Sequence, residues 1–255
     1  MRITMIGSGN VSTHLSAALK NAGHRIMQVY SPNIGHASLL AYHVSAEPTD
    51  DISTINAETD LYIIAVKDDA IEGIARQLAV HGKFIVHTSG ATSLDVLKSV
   101  TPLAGVFYPL QTFSKDKELD FRSVPLCIEG ATEVITSQLV ELGQTISNNI
   151  YRVDSEQRKI LHLSAVFACN FPNYLYHVAQ NLLAEHQLDF NLLRPLIMET
   201  AEKVQHRFPA SVQTGPAVRN DQQTMAAHLQ LLDNDVFLQK LYQLLSEGVT
   251  KMVKN

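Results

Sequence analysis

Short apolar runs alternate with amphipathic segments through residues 1–153. The runs have the length and β-branched content of strands, which we predict at residues 2–6, 25–30, 61–66, 84–87, 105–108 and 125–128. Between them, apolar residues recur at helical spacing from residue 10 to a stop at Gly23. A second such segment runs from Ile71 to Leu78, after a cap at Asp68 or Asp69. The alternation indicates an α/β fold, a mostly parallel sheet covered by helices.

The pattern changes near Asp154. Helical periodicity then continues to residue 186, interrupted by Pro172, and further helices are predicted at residues 190–207, 224–232 and 236–253. An α/β half followed by an all-helical half predicts two domains, residues 1–153 and residues 154–255.

A glycine-rich turn, GSGNVS, follows the first predicted strand and opens the first predicted helix. In dinucleotide-binding βαβ units the first glycine makes a tight turn, and the second lets the backbone approach a pyrophosphate at the helix N-terminus. Ser12 replaces the usual third glycine and is small enough for close packing. The turn predicts a Rossmann-like domain, although two glycines also occur in ordinary βα turns. The predicted cofactor-binding residues here are Gly7, Ser8, Gly9, Asn10 and Val11.

Residue 31 bears on the choice between the two dinucleotides. An NAD site places Asp or Glu near the end of the second strand to bind the ribose 2′-hydroxyl. This chain has Ser31, which does not repel a 2′-phosphate, and Asn33 and His36 could contact such a group, but no Arg or Lys lies nearby. We expect NADP to be preferred, with NAD as the alternative.

Two later loops belong to the same predicted site, because ligands of open α/β sheets bind beyond the carboxyl ends of the strands. Val66 and Lys67 follow the central strand, and Thr88, Ser89 and Gly90 follow the next. We predict that these residues line the nicotinamide end. Lys67 is equally well explained as a solvated charge.

The composition excludes several classes of function. A net charge of −5 provides no field that would attract nucleic acid or an anionic membrane. Cys127 and Cys169 lie far apart and the 11 histidines are scattered, so we predict two buried thiols, no disulfide and no metal site. No apolar stretch approaches the roughly 20 residues that span a bilayer, and no signal-type run is present. We expect a soluble, cytoplasmic protein that acts on a small molecule.

The long helical segment supplies candidate catalytic residues. One stripe is mainly apolar and should face the core; it contains Ile160, Ser164, Phe167, Phe171, Leu175, Val178 and Leu182. A second arc is polar but poor in carboxylates, which suits a ligand; it contains Lys159, His162, Asn170, Asn173 and His177. Reduction of a carbonyl or imine needs a proton donor near the nicotinamide. We predict His162 as acid/base, Asn170 as an orienting amide and Asn173 as a substrate contact; purely structural roles are the alternative.

The segment TGPAVRND is the other concentration of polar residues, and residues 214–216 predict a helix start there. Arg219 could bind a substrate carboxylate or phosphate through two hydrogen bonds, with Asp221 fixing the guanidinium. His228 could share that face and contact the substrate. An Arg–Asp pair that only braces the loop explains the segment equally well.

The motifs GSGNVSTHLSAAL, AVKDDAI, HTSGATSLDVL and GVFYPLQTF resemble, in order and spacing, the pyrroline-5-carboxylate reductase and 6-phosphogluconate dehydrogenase-like superfamily. HLSAVFACNFPNYLYHVA and TGPAVRNDQQTMAAHLQLL resemble a narrower family of NADP oxidoreductases with a Rossmann-like domain and a C-terminal domain of unknown function. The resemblance covers essentially the whole chain and implies a homodimer formed through the helical domain, with a site between domains. Two departures are present. Tyr108 replaces a His that is common before Pro109, which argues against catalysis at 108, and Pro32 replaces a common Arg, which weakens the NADP case.

The sequence therefore predicts an NADP-preferring oxidoreductase that transfers hydride to or from a small polar carbonyl, imine or hydroxy compound. Two alternatives stay open. One is a dinucleotide-binding or sensing protein without catalysis, and the other is a deazaflavin-dependent reductase.

Overall fold

The computed structural model describes residues 1–254, and within them eight strands form one sheet. The strands are β1 (Arg2–Ile6), β2 (Arg25–Tyr30), β3 (Glu47–Thr49), β4 (Leu61–Ile64), β5 (Phe84–His87), β6 (Ala104–Pro109), β7 (Leu126–Gly130) and β8 (Ile150–Arg152). Their spatial order is β3-β2-β1-β4-β5-β6-β7-β8. Neighbouring strands run parallel except β6 and β7, which are antiparallel.

The same residues form eleven α-helices. They are α1 (Asn10–Asn21), α2 (Ile34–Val44), α3 (Ile71–Leu78), α4 (Asp95–Lys98), α5 (Glu133–Gln144), α6 (Ser155–Ala165), α7 (Phe171–Glu185), α8 (Arg194–His206), α9 (Pro209–Val212), α10 (Gln222–Leu231) and α11 (Val236–Lys254). A single π-helical turn, Val166–Asn170, joins α6 to α7. None of the helices within residues 1–254 has the length and hydrophobicity needed to cross a membrane.

Successive residues of the central strands alternate between two hydrophobic cores, one on each face of the sheet. In β1, Ile3 and Met5 belong to the core under α1, α2 and α5, whereas Ile6 belongs to the core under α3 and α4. Leu161 of α6 packs against this second core. The N-terminal part of the long helical segment is therefore held on the sheet.

The mostly parallel sheet and the helical C-terminal region confirm the predicted fold class. Five elements of the α/β half have weak sequence patterns and were not predicted: α2, α4, α5, β3 and β8. In α2 the periodicity is weak because Leu39 and Tyr42 are exposed on its outer face. β3 and β8 have only three residues each, too few to show a period of two. The predicted cap at Asp68 or Asp69 is wrong, since these residues form a 3₁₀ turn and α3 begins without a side-chain cap.

The chain divides into two compact units, Met1–Tyr174 and Leu175–Asn255, and the division falls within α7. The domain boundary placed after residue 153 lies in the loop between β8 and α6 and stays a prediction. In the described part of the second unit, Ala217 is the one buried hydrophobic residue. Residues 175–252 therefore bury no hydrophobic core of their own in the single chain.

Candidate functional site

The sheet brings the predicted cofactor residues to one edge. β1 lies between β2 and β4, and β5 follows β4, so the loops after these four parallel strands meet at their carboxyl ends. The loops contain Gly7 to Val11, Ser31, Val66 and Lys67, and Thr88 to Gly90. The direction of connection along the chain reverses between β1 and β4, and open α/β sheets bind ligands at such a point.

Glycine occupies the two positions of the first loop for different physical reasons. Gly7 has a φ of +117°, and a Cβ there would lie 2.2 Å from the Ala65 carbonyl oxygen, so the fold itself requires glycine. Gly9 has an ordinary extended backbone, and a Cβ there would meet nothing within 4 Å. Packing within the protein therefore does not explain Gly9. The absence of a side chain at Gly9 leaves open space at the N-terminus of α1, which a bound pyrophosphate would need.

Ser31 directly follows β2 and is almost fully buried. Its Oγ accepts hydrogen bonds from the Ser8 hydroxyl at 3.0 Å and from the Asn33 backbone N–H at 3.4 Å. Asn33 in turn caps α2 by accepting from the His36 N–H. The unpredicted helix α2 thus directs its N-terminus toward the region beside Ser31, where anions are favoured.

The Asn10 side chain has a partner within the protein. Its Nδ2 donates to the Phe113 carbonyl at 2.8 Å, and the His14 ring hydrogen-bonds the Ser114 carbonyl and stacks on Phe113. These contacts fasten the loop after β6 to the start of α1. At position 10 the backbone N–H, rather than the side chain, is what remains to bind a phosphate.

His162 projects from α6 onto the same sheet edge. Its Nδ1 lies 3.1 Å from the Tyr108 hydroxyl, which comes from the end of β6, and either atom could be the donor. Both rings crowd Gly90: a Cβ there would lie 2.6 Å from His162 Nδ1 and 2.9 Å from Tyr108 Cζ. Gly90 therefore admits the Tyr–His pair beside the loop predicted to line the nicotinamide end.

The sequence argues against a catalytic role for Tyr108, because a His is common at this position in the family it resembles. In this fold it faces His162, which is 54 residues away in the sequence. The signal that could have found it is Gly90, since a glycine in a loop at a strand end often marks a close approach. The pair is a candidate proton donor.

Burial dominates the electrostatics behind this pair. It raises the pKa of Tyr108 to about 12 and that of its cross-strand neighbour Cys127 to about 11. It also lowers the pKa of His87 to about 3, with the Arg158 charge as the second cause. His87 Nδ1 accepts from the Ser89 N–H, so the neutral ring carries its proton on Nε2. Tyr108 thus remains a protonated hydrogen-bond donor at neutral pH.

Arg158 is the largest fully buried side chain of the described residues. Its guanidinium donates to the Glu129 carboxylate on β7, to the Thr92 carbonyl and to the Ser155 hydroxyl. In the helical pattern Arg158 cannot be distinguished from an exposed charge, so nothing in the sequence singles it out. It anchors α6 one turn before His162.

The prediction that the apolar stripe faces the core is wrong for the first unit, because Ile160, Phe167 and Phe171 are all about half exposed or more. The π-turn Val166–Asn170 adds a residue to one helical turn just before Pro172, which lacks an N–H. Angles computed for an ideal helix therefore fail beyond residue 165. Cys169, predicted to be buried, is exposed in this turn.

The other residues of the polar arc have local partners or are exposed. Asn170, Asn173 and His177 are exposed, and the His177 ring pairs with Asn181. Lys159 forms an exposed ion pair with Glu156. Among the described hydrogen bonds, none joins Asn170 or Asn173 to another side chain, so their roles stay predictions.

In the second unit Asp221 caps α10 by accepting from the Thr224 N–H and hydroxyl, which lowers its pKa. The ion pairs of residues 1–254 include none between Asp221 and Arg219, so the predicted fixing of the guanidinium by Asp221 is not seen. The expected helix start at 214–216 is a turn, and the helix begins at Gln222. His228 pairs with Tyr242 of α11 at 2.9 Å.

Family models match both halves of the chain. Residues 1–111 match the Rossmann-like domain, and residues 124–249 match a domain of unknown function, DUF2520. A comparison with curated proteins finds no match.

Solved structures provide further similarities. A Bacteroides fragilis protein named as an NADP oxidoreductase is 43% identical, with a TM-score of 0.93 over 98% of each chain. An imine reductase from Myxococcus stipitatus, in complex with NADP+, is 13% identical, with a TM-score of 0.67 over 100% of this chain and 93% of that one. Plasmodium falciparum pyrroline carboxylate reductase with NADP bound is 14% identical, with a TM-score of 0.56 over 99% and 98%. At such low identities, the last two similarities show the fold alone.

The substitution Gly9→Asp tests the glycine-rich loop. Asp is a favoured N-cap, so the melting temperature should be unchanged or higher. A carboxylate about 4 Å from a pyrophosphate costs about 4 kcal/mol at an effective dielectric constant of 20, so dinucleotide affinity should fall by at least roughly 100-fold. Calorimetry with NADPH measures this, and Gly9→Ser, also a good cap but neutral, is the control. Unchanged binding by a folded Gly9→Asp variant would remove the basis for this binding site.

Acid should destabilise the protein partly through His87. Below the ordinary His pKa of 6.5 the unfolded chain binds a proton that the folded state, with a pKa of about 3, does not. The free energy of unfolding therefore decreases as the pH is lowered, and this residue alone accounts for a loss of about 2 kcal/mol between pH 7 and pH 5. Urea unfolding at both pH values should show a smaller loss in His87→Gln. An equal loss in the two proteins would contradict the neutral, buried state of His87.

Proposed function

Because this chain belongs to the family that joins a Rossmann-like domain to a DUF2520 domain, we propose that it is an NADP-dependent oxidoreductase. The observation that carries the proposal is the meeting of two features at one sheet edge. The glycine-rich loop leaves open space at Gly9, and the Tyr108–His162 pair lies beside Gly90. A dinucleotide site and a proton donor are the two requirements of carbonyl or imine reduction.

The residues at the sheet edge fit a bound dinucleotide. The backbone from Gly7 to Val11 would hold the pyrophosphate, and Thr88 to Gly90 would lie at the nicotinamide end, with Val66 and Lys67 between them. At the adenosine end, the Ser31 hydroxyl and the N-terminus of α2 favour a 2′-phosphate without a nearby Arg or Lys. The name of the Bacteroides fragilis relative supports the same cofactor, and NAD is the weaker alternative.

The bound nicotinamide supplies or accepts the hydride, and this chain's own residues handle the proton. In the reductive direction the Tyr108 hydroxyl gives its proton to the substrate oxygen or nitrogen. A raised pKa keeps that proton in place until negative charge develops on the substrate. When His162 carries a proton on Nδ1, it returns a proton to the Tyr108 oxygen through the existing hydrogen bond. His162 thus keeps the predicted acid/base role, acting through Tyr108.

The substrate we propose is a small polar carbonyl, imine or hydroxy compound. Asn170 and Asn173 remain candidates for orienting it, and the second unit offers Arg219, Asp221 and His228. Arg219 is exposed, so its guanidinium is accessible to a carboxylate or phosphate. Free thiols at Cys127 and Cys169 fit a reducing compartment, and we propose the cytoplasm.

We propose a homodimer formed through the helical region. Ile160, Leu163, Phe167 and Phe171 are each about half exposed or more and follow one another at helical spacing. Within residues 175–252 the second unit also lacks a buried core of its own. Such extended apolar surface is typical of a subunit interface. Sedimentation should give twice the mass of 28.2 kDa, and a monomer at micromolar concentration would contradict the dimer.

The proton-donor pair is tested by His162→Ala and Tyr108→Phe. Each should lower turnover by roughly 10²–10⁴-fold with NADPH affinity nearly unchanged, because each removes a step of proton transfer. Since the two act as a unit, the double variant should lose little more than the worse single variant. Steady-state kinetics measure this, with the exposed His43→Ala as control. Full turnover in both single variants would exclude the pair as the proton donor.

The cofactor preference is tested by Ser31→Asp. Ser8 and the Asn33 N–H would both donate to the new carboxylate, which can bind a ribose 2′-hydroxyl but repels a 2′-phosphate. The wild type should bind NADPH more tightly than NADH, and the variant should reverse the order, with the affinity ratio changing by roughly 100-fold or more. Ser31→Asn, of the same shape but neutral, should not reverse it. Tighter binding of NADH by the wild type would overturn the preference.

A further inference from the structure

Arg158 joins three separate elements by its single side chain. Its guanidinium donates to Glu129 on β7, to the Thr92 carbonyl in the loop after β5, and to the Ser155 hydroxyl at the start of α6. The arginine side chain is completely buried and that of Glu129 is mostly buried. Such a position for a charged group is rare unless the charge is paired.

Ser155 closes the network. Its hydroxyl donates to Glu129 at 2.8 Å and accepts from the Leu94 N–H at 2.9 Å as well as from Arg158. The loop segment 92–94 is therefore hydrogen-bonded to α6 at each of its two ends, through the Thr92 carbonyl and the Leu94 N–H. Upstream, the Ser89 hydroxyl accepts from the Ala91 and Thr92 N–H groups, so the whole loop from Ser89 to Leu94 is fixed.

This network lies next to the Tyr–His pair. His162 follows Arg158 by one helical turn on the same face of α6, and its ring lies against the Gly90 position within the fixed loop. Moving α6 relative to the loop by even a fraction of an ångström would change the separation of His162 from Tyr108 and Gly90. The contacts of Arg158 set this relative position of helix and loop.

We propose that Arg158, through Glu129 and Ser155, is a positioning residue that holds the Gly90 loop and His162 in register with Tyr108. This inference rests on the proposed function for its kinetic consequence, but the geometry it describes stands on the contacts alone. A stabilising role does not by itself account for the network, because a buried ion pair is often no more stable than apolar residues of similar volume. Lysine would not replace the arginine, since it lacks the planar guanidinium that reaches all three acceptors.

The experiment replaces the pair with apolar residues, Arg158→Met together with Glu129→Leu. This double variant avoids leaving an unpaired buried charge, so it should fold, with a melting temperature close to that of the wild type. The control is Arg152→Met with Glu133→Leu, which removes an exposed ion pair of the same composition. Amide hydrogen exchange of residues 89–94 and kinetics with NADPH are measured in both.

We expect faster exchange at Leu94 and its neighbours in the Arg158/Glu129 variant only. We also expect kcat to fall by about 100-fold while the apparent KM for NADPH changes less than about threefold, since misplacing a catalytic group costs that much without touching cofactor binding. Wild-type exchange in this loop would overturn the proposal. Altered exchange with unchanged kcat would also overturn it, as the loop would then not position the pair.

Two further measurements keep the outcomes separate. If the double variant fails to fold, Arg158→Lys keeps the charge beside Glu129 and should still raise the exchange of Leu94; unchanged exchange there overturns the proposal. If instead His162→Ala and Tyr108→Phe have full activity, the proposed function fails, and with it the kinetic part. In that case the exchange data alone decide whether Arg158 fixes the loop.

Discussion

Three strand ends converge on Gly7, and the cofactor side of the site depends on that crowding. The Gly7 N–H donates to the Tyr30 carbonyl at the end of β2, and the Ala65 N–H after β4 donates to the Ile6 carbonyl. A side chain at Gly7 would strike the Ala65 carbonyl. With glycine there, the chain turns sharply out of the sheet, and α1 begins with its free N–H groups over open space at Gly9.

The Tyr108–His162 part of the candidate site depends on a second close approach, between these two rings and the backbone at Gly90. Because this residue has no side chain, the rings of His162 and Tyr108 can lie against the loop after β5. A buried arginine and its carboxylate partner hold the helix that carries His162. One glycine therefore leaves space for a ligand, and another lets the Tyr108–His162 pair, the proposed proton donor, reach the same edge of the sheet.

The sequence predicted most of the first half of this arrangement. Strand patterns placed β1, β2, β4 and β5, and since parallel strands end at one edge, the loops that follow them were expected to lie together. Elements of three residues, and the helix α2 with its apolar outer face, carried too little periodicity to be found. Ser31 was identified, but the helix N-terminus beside it was not.

The second half resisted prediction for physical reasons. The Tyr108–His162 contact joins residues 54 apart, and no local pattern encodes such a pairing. Arg158 has the helical spacing of a surface charge, and only the tertiary fold shows that it is buried. The apolar stripe that contains Ile160, Phe167 and Phe171 was assigned to the core because periodicity separates apolar from polar faces. Periodicity does not show whether an apolar face is covered by the same chain or by a second molecule.

The most direct test of the central claim is transfer of label from NADPH deuterated at the nicotinamide C4. The protein would be incubated with this cofactor and a library of small keto acids, aldehydes, ketones and cyclic imines, and the products examined by mass spectrometry. We expect a reduced product that carries one deuterium on the former carbonyl or imine carbon, with loss of transfer in Tyr108→Phe. NADPH binding by calorimetry without label in any product would contradict it and indicate a protein that binds the dinucleotide without catalysis.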